Sequence, residues 1–176
     1  MNIYSGYFIA FMLIFSSAAY AKTNGGYGGL NMTGSIIETA CSLEMNNLDQ
    51  SIDIGNLPMA SVAGEAHTNE KEFVIRLSDC EIHHADASKP DWQFFRMTFD
   101  GQNDNGLFAL YGNARGIGIE VRDTNGNVIH PGQPLPAQNL KPGEMRLVYE
   151  IAIVSDSREL VAGDYHGVIK YKIDYY

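Results

Sequence analysis

Basic residues are few and dispersed: 12 Lys and Arg stand against 21 Asp and Glu in 176 residues, a formal net charge of −9. A grip on nucleic acid needs clustered cations to neutralise phosphates, so this balance argues against such a partner and reads as solubility. Cysteine is limited to Cys41 and Cys80, which leaves no second pair for a structural zinc site. At this length, with 45% hydrophobic residues, the chain reads as one globular domain rather than a multidomain machine.

Signatures of catalysis and cofactor binding are missing as well. The adjacent pair His83-His84, with Asp86 nearby, points its rings to opposite faces of an extended chain and offers no i, i+4 metal pair, so a solvated loop is expected there. The run Asp100 to Gly106 is rich in oxygen donors, but Asn105 stands where a calcium loop needs glycine, which favours a polar hairpin loop. Gly116-Ile-Gly118 lacks the third glycine and the helix of a dinucleotide site, and no nucleophile-elbow or phosphate-loop motif occurs. The expectation is a protein that is not an enzyme, with no cofactor and no small-molecule substrate.

What the chain does contain begins with an export signal. Tyr7 to Phe15 is a nine-residue apolar core followed by Ser16, Ser17, Ala18 and an Ala19-Tyr20-Ala21 cleavage pattern. That run is too short to span a bilayer, which takes about 20 apolar residues. Cutting after Ala21 divides the chain into a signal peptide at 1–21 and a mature protein of 155 residues. Export places Cys41 and Cys80 in an oxidising compartment, where two cysteines imply one bridge. Closing a loop of about 40 residues contributes up to roughly 4 kcal/mol in the chain-entropy model.

Period-two alternation dominates after Gly34, and helical periodicity is nearly absent. Phe73, Ile75 and Leu77 form one apolar face, Phe95, Met97 and Phe99 a second, and Ile117, Ile119 and Val121 a third. Leu147, Tyr149, Ile151 and Ile153 supply another. Turn residues such as Asp53-Ile54-Gly55, Asn125-Gly126 and Pro142-Gly143 separate these runs, so six or seven strands in a β-sandwich are expected. The residues from Lys22 to Thr33 differ: four glycines in five positions cannot bury enough apolar area to order themselves, yet Leu30 and Met32 alternate with Asn31 and Thr33. Such a tail is either a plain disordered terminus or a strand waiting for a sheet edge. At the other end, Tyr165, Ile169, Tyr171, Ile173 and Tyr175 line one face of a last strand opposite His166, Lys170, Lys172 and Asp174. With no strand to follow it, this apolar edge needs a cover.

These elements together resemble the pilin subunits of chaperone–usher fimbriae. The resemblance rests on Gly34-Ser-Ile-Ile-Glu-Thr-Ala-Cys41 after the glycine tail, on Asp53-Ile-Gly55 ahead of Phe73-Val-Ile-Arg-Leu-Ser-Asp-Cys80, and on Met97-Thr-Phe-Asp-Gly101. It is completed by Gly116-Ile-Gly-Ile-Glu-Val-Arg-Asp123 and by a closing segment from Gly163 to the penultimate Tyr175. It implies an all-β, immunoglobulin-like sandwich lacking its final strand and completed by donor-strand complementation, with a pilin domain at 34–176 and a donor extension at 22–33. The donor positions then fall on Gly26, Gly28, Leu30 and Met32, and the groove strand on Gly163, Tyr165, Ile169, Tyr171, Ile173, Tyr175 and Tyr176. Cys41 and Cys80 match the family's disulfide.

The partners so implied are a periplasmic chaperone that lends a strand and grips the terminal carboxylate, an outer-membrane usher, and neighbouring subunits of a fimbrium on the bacterial surface. The pattern looks closest to minor subunits related to the terminator of P pili, which anchor the rod base and stop growth. Two other readings stay open from the residues alone. A self-sufficient secreted binding module of immunoglobulin type explains the sandwich but not the tail, and a secreted hydrolase explains only the export.

Overall fold

The computed structural model describes residues 31–44, 50–63 and 69–176. The proposed signal peptide and the tail positions Gly26, Gly28 and Leu30 lie outside them. The chain divides into Met1–Ile36 and Ile37–Tyr176. Of the first unit the described residues carry no regular structure and are exposed, Met32 and Ile36 included.

The regular structure described in the second unit consists almost wholly of strands. In chain order they are β1 (Ser42–Leu43), β2 (Lys71–Cys80), β3 (Phe94–Asp100), β4 (Asn103–Asp104), β5 (Leu107–Phe108), β6 (Tyr111–Gly112) and β7 (Ile117–Asp123). There follow β8 (Val128–Ile129), β9 (Gln138–Asn139), β10 (Gly143–Ser155), β11 (Tyr165–His166) and β12 (Lys170–Tyr175). Among the described residues one short helix, α1 (Met59–Ala63), sits between β1 and β2. Several strands have only two residues, so the described elements outnumber the six or seven read from alternation.

One sheet runs β1-β2-β10-β7-β5-β4, with β8 also on β7, and a second runs β12-β3-β9, while β6 and β11 form a short ribbon. All these pairings are antiparallel. Alternation places Phe95, Met97 and Phe99 of β3 fully inside, against Ile75 and Leu77 of β2, Val121 of β7 and Tyr149 of β10. The Phe99 ring joins the layers: it meets Phe73 edge-on at 6.2 Å and Tyr149 at 4.8 Å between centroids. Such edge-to-face pairs add to the burial of their area.

Cys41 and Cys80 are joined, with their Cα atoms 4.1 Å apart. Strict alternation cannot deliver this pair, because Leu77 and Cys80 are three residues apart and both are buried. The ladder between β2 and β10 slips between Gly143 and Met145, and Asp79 adopts a left-handed φ of 49°. That bulge turns Cys80 inward beside the segment carrying Cys41.

Two expectations are corrected. The last apolar face is not one strand: Tyr165–His166 pairs with β6, Lys170–Tyr175 pairs with β3, and residues 167–169 belong to neither ladder. The break falls at Gly167, where an added Cβ would lie 2.5 Å from Ile119 Cδ1. His84, expected in a solvated loop, has a side chain only 9% exposed, with Nδ1 3.2 Å from Glu38 Oε2 and its ring 4.0 Å from that of Trp92. His83, Asp86 and Asp91 of the same loop do remain exposed, which leaves a polar loop with one half-buried histidine. The run Asp100 to Gly106 does close as a polar hairpin, with Asn105 and Gly106 at positive φ between β4 and β5.

Candidate functional site

The second sheet ends on β12. Among the described residues, β12 pairs with β3 and with no other strand, through a register from Lys170 opposite Asp100 to Tyr175 opposite Phe95. Beside this edge lies an open groove of about 680 Å³. Residues 163–169 and Tyr171 form one wall, and Gln50 to Leu57 form the other. The floor is the sandwich core: Phe73 and Ile75 from β2, Phe99 from β3, Ile119 from β7, and Ile151 and Ile153 from β10.

The second wall belongs to no sheet ladder. Gln50 donates from its side-chain amide to the Val74 carbonyl at 3.1 Å. Ile54 and Leu57 turn against the core. Asp53 shapes the middle: its Oδ1 accepts the Gly55 N–H at 2.8 Å, and Gly55 has a left-handed φ of 76° that a side chain would resist. The floor has its own device at Asn69, a buried amide whose Nδ2 donates to the Ile153 carbonyl at 3.0 Å while its Oδ1 accepts the Ile153 N–H at 2.9 Å. A side chain thus satisfies both backbone groups of a groove-floor residue beyond the last β2–β10 ladder pair, Ile151 with Lys71.

The carboxylates of the groove lie on its walls, at Asp53 and Asp164. Burial pushes the Tyr171 hydroxyl above the ordinary tyrosine range, and burial together with the Asp53 carboxylate does the same for Tyr165. Both stay neutral across physiological pH. The apolar floor faces walls that carry the two carboxylates at the groove's sides, an arrangement with room for apolar side chains below and polar backbone above. Among the described residues no group of three or more His, Cys, Asp or Glu side chains is placed to hold a metal ion.

Of the residues expected on the groove strand, Gly163, Tyr165, Ile169 and Tyr171 line the groove. Ile173, Tyr175 and Tyr176 lie outside its lining. Ile173 and Tyr175 pack on the core, with Tyr175 6.3 Å from Trp92, while Tyr176 stacks near Phe94 at 6.1 Å with the Arg96 guanidinium 5.3 Å from its ring centre. Met32 is exposed in the first unit. Sequence reasoning missed the wall from Gln50 to Leu57 as a wall, although Ile52 and Ile54 alternate beside the turn motif at Asp53. It also missed Asn69, whose single amide carries no periodicity.

An immunoglobulin-like sandwich with an open edge and a groove beside it is the class of protein that this fold and site define. Comparison with known proteins makes the assignment specific: residues 30–175 match the family described as Fimbrial protein, and the chain belongs to that family. It is 31% identical over 150 residues to the PRS fimbrial minor pilin protein of Escherichia coli, covering 84% of this chain and 77% of that protein. To the PAP fimbrial minor pilin protein of Escherichia coli it is 32% identical over 144 residues, covering 81% and 74%. Its fold is shared with the P pilus rod subunit PapA, at a TM-score of 0.66 and 21% identity over 78% of this chain and all of that one. A subunit from a chaperone–usher pilus structure concerned with rod uncoiling gives the same TM-score at 23% identity, over 86% and 97%. The chain is therefore an exported structural subunit of surface fimbriae that works in contact with other subunits, and not an enzyme.

Proposed function

We propose that the groove is the acceptor site for an extended strand from a neighbouring subunit, and that this subunit enters a fimbrium by donor-strand exchange. The observation that carries this reading is the coincidence of a core-floored groove with a sheet edge that no described strand covers. A strand laid along that edge adds backbone hydrogen bonds, and its alternate side chains enter the apolar floor. Each Leu or Met buried there contributes roughly 1.5–3 kcal/mol.

In this reading a periplasmic chaperone first occupies the groove against the segment Gly163 to Tyr176, and an outer-membrane usher oversees its replacement by a neighbour's tail. The chain's own donor segment is 22–33, with Gly26, Gly28, Leu30 and Met32 facing the next subunit's groove. Only Leu30 and Met32 bring apolar side chains, so the donated junction is looser than one with four branched anchors. The likeness to minor pilins supports a minor subunit, and the assembly terminator or base anchor is the alternative role that goes with a groove that refuses a donor strand.

The test is to purify the mature chain and measure its thermal unfolding with and without excess synthetic peptide covering Lys22 to Thr33. A groove that takes a strand gives a midpoint that rises with peptide concentration, and the rise shrinks with a Leu30→Ala peptide. A chain that folds cooperatively as a monomer and gains nothing from peptide is instead a self-sufficient binding module. One that depends on the chaperone yet refuses every donor peptide is a terminator.

A further inference from the structure

A hydrogen bond joins the two walls of the groove. Tyr165 stands on the strand wall, and its hydroxyl donates to the Gly55 carbonyl on the opposite wall at 3.2 Å. The ring packs on the core, and both residues belong to the groove lining. We infer that Tyr165 is a strap across the groove, a residue that sets both the rate at which an extended strand enters and the size of the donor side chain admitted beneath it. This rests on the acceptor reading of the groove.

The two ends of the strap differ in stiffness. Tyr165 is held by its pairing with Gly112 in the β6–β11 ribbon and is flanked by glycines packed without spare room. An added Cβ at Gly163 would sit 2.6 Å from the Ala114 nitrogen, and one at Gly112 would sit 2.2 Å from the Asp164 carbonyl oxygen. On the far side Gly55 lies in a segment with no ladder, and a Cβ there would meet nothing within 4 Å. Its local turn is set by Asp53, and the segment around it is held by the Ile54 and Leu57 side chains rather than by a ladder. Opening breaks this exposed hydrogen bond and displaces the Gln50 to Leu57 wall, while the tyrosine stays as a post. A strand that passes the post has to present a small residue to the ring or displace it, which makes the tyrosine a filter as well as a bar.

The experiment uses the mature chain, its Tyr165→Phe and Tyr165→Ala variants, and a fluorescein-labelled peptide of residues 22–33 followed by anisotropy. Two further peptides carry valine in place of Gly26 or of Gly28. Tyr165→Phe keeps the ring and loses the hydroxyl, so its thermal midpoint without peptide should stay close to that of the parent. Its association rate should rise about 2- to 10-fold, the factor that one net hydrogen bond represents. Tyr165→Ala should accept a valine peptide that the parent chain rejects. Equal association rates in parent and Tyr165→Phe, with no change of peptide preference in Tyr165→Ala, overturn the strap and leave the acceptor groove standing. Failure of all three chains to bind any of the peptides overturns both. Binding by the variants alone supports the strap in its strongest form.

Discussion

Strands β10 and β12 carry the same alternation of apolar and polar residues and reach different depths. Leu147, Tyr149 and Ile153 of β10 are buried, whereas Tyr171, Ile173 and Tyr175 of β12 are only half-buried. Composition does not explain the difference, since both faces mix isoleucine with tyrosine. Neighbours do: β10 has β2 on one side and β7 on the other, and β12 has only β3. An apolar face becomes core when strands flank it and becomes a binding surface when one flank is missing.

The sharpest way to break this comparison is to truncate matching residues in the two strands. Tyr149 packs on Phe73 and Phe99, and Tyr149→Ala should cost roughly 3–5 kcal/mol in urea unfolding, the range for a large aromatic removed from a core. Tyr171, which meets Phe99 at 6.3 Å from the groove side, should cost about 1–2 kcal/mol as alanine when the groove is empty. With a donor peptide seated, the Tyr171→Ala cost should climb toward that of Tyr149→Ala. Equal costs with the groove empty would mean that β12 is already core.

The disulfide end is the counterpart of the open edge. There Cys41–Cys80 ties β2 to the start of the domain, Glu81 N–H donates to the Ala40 carbonyl at 2.8 Å, and β1 extends the ladder. Replacing both cysteines with serine should cost roughly 2–5 kcal/mol, measured by denaturant unfolding under non-reducing conditions. Peptide affinity for the remaining folded fraction should change little, because neither cysteine lines the groove.

Much of this division could be read from the residues, and the misses share a cause. Phe95, Met97 and Phe99 are inside because two-residue alternation is a local property that the sheet preserves. The inward turn of Cys80 was not legible, because it depends on a bulge at Asp79 that breaks alternation through a register slip with a strand more than 60 residues away. The split of the last face into β11 and β12 was hidden for the same reason: it depends on which partner, β6 or β3, each half finds. The wall from Gln50 to Leu57 forms no ladder, so it has little periodicity to detect. His84 looked like any polar loop residue until Glu38, 46 positions earlier, was found opposite it.

Asn69 gives a smaller and more local test. Its amide substitutes for a strand partner at Ile153, so Asn69→Leu would leave a buried N–H and a buried C=O without that partner. A loss of about 1–3 kcal/mol is expected in urea unfolding. A donor peptide should not restore it, because the amide bonds the backbone of β10 rather than the β12 edge. Full recovery with peptide would place Asn69 in the groove mechanism instead of in the floor's support.

The smallest effects are in the pH limbs, where a depressed carboxyl and a raised hydroxyl should respond in opposite directions. Glu38 accepts the Ala85 N–H at 2.6 Å and faces His84 and Lys89, and these contacts, the backbone bond foremost, hold its carboxyl below the usual glutamate value of 4.5. A depressed folded-state value means that its contribution is present above pH 4.5 and is lost as pH falls through the lower folded value. Asp86, Asp123 and Asp156 are depressed too, so the Glu38 share is the difference between the parent and Glu38→Gln on the acid limb. Tyr175 behaves inversely: burial pushes its hydroxyl from 10.0 up to about 12, so stability is complete below pH 10 and is lost as pH rises through 12. Tyr175→Phe should flatten part of that alkaline loss in thermal midpoints measured from pH 9 to 12. A seated donor strand buries Tyr171 further and should carry the alkaline limb to higher pH while leaving the Glu38 share of the acid limb where it was. Movement of the Glu38 share together with the alkaline limb would show that the groove and the Glu38–His84 contact are coupled.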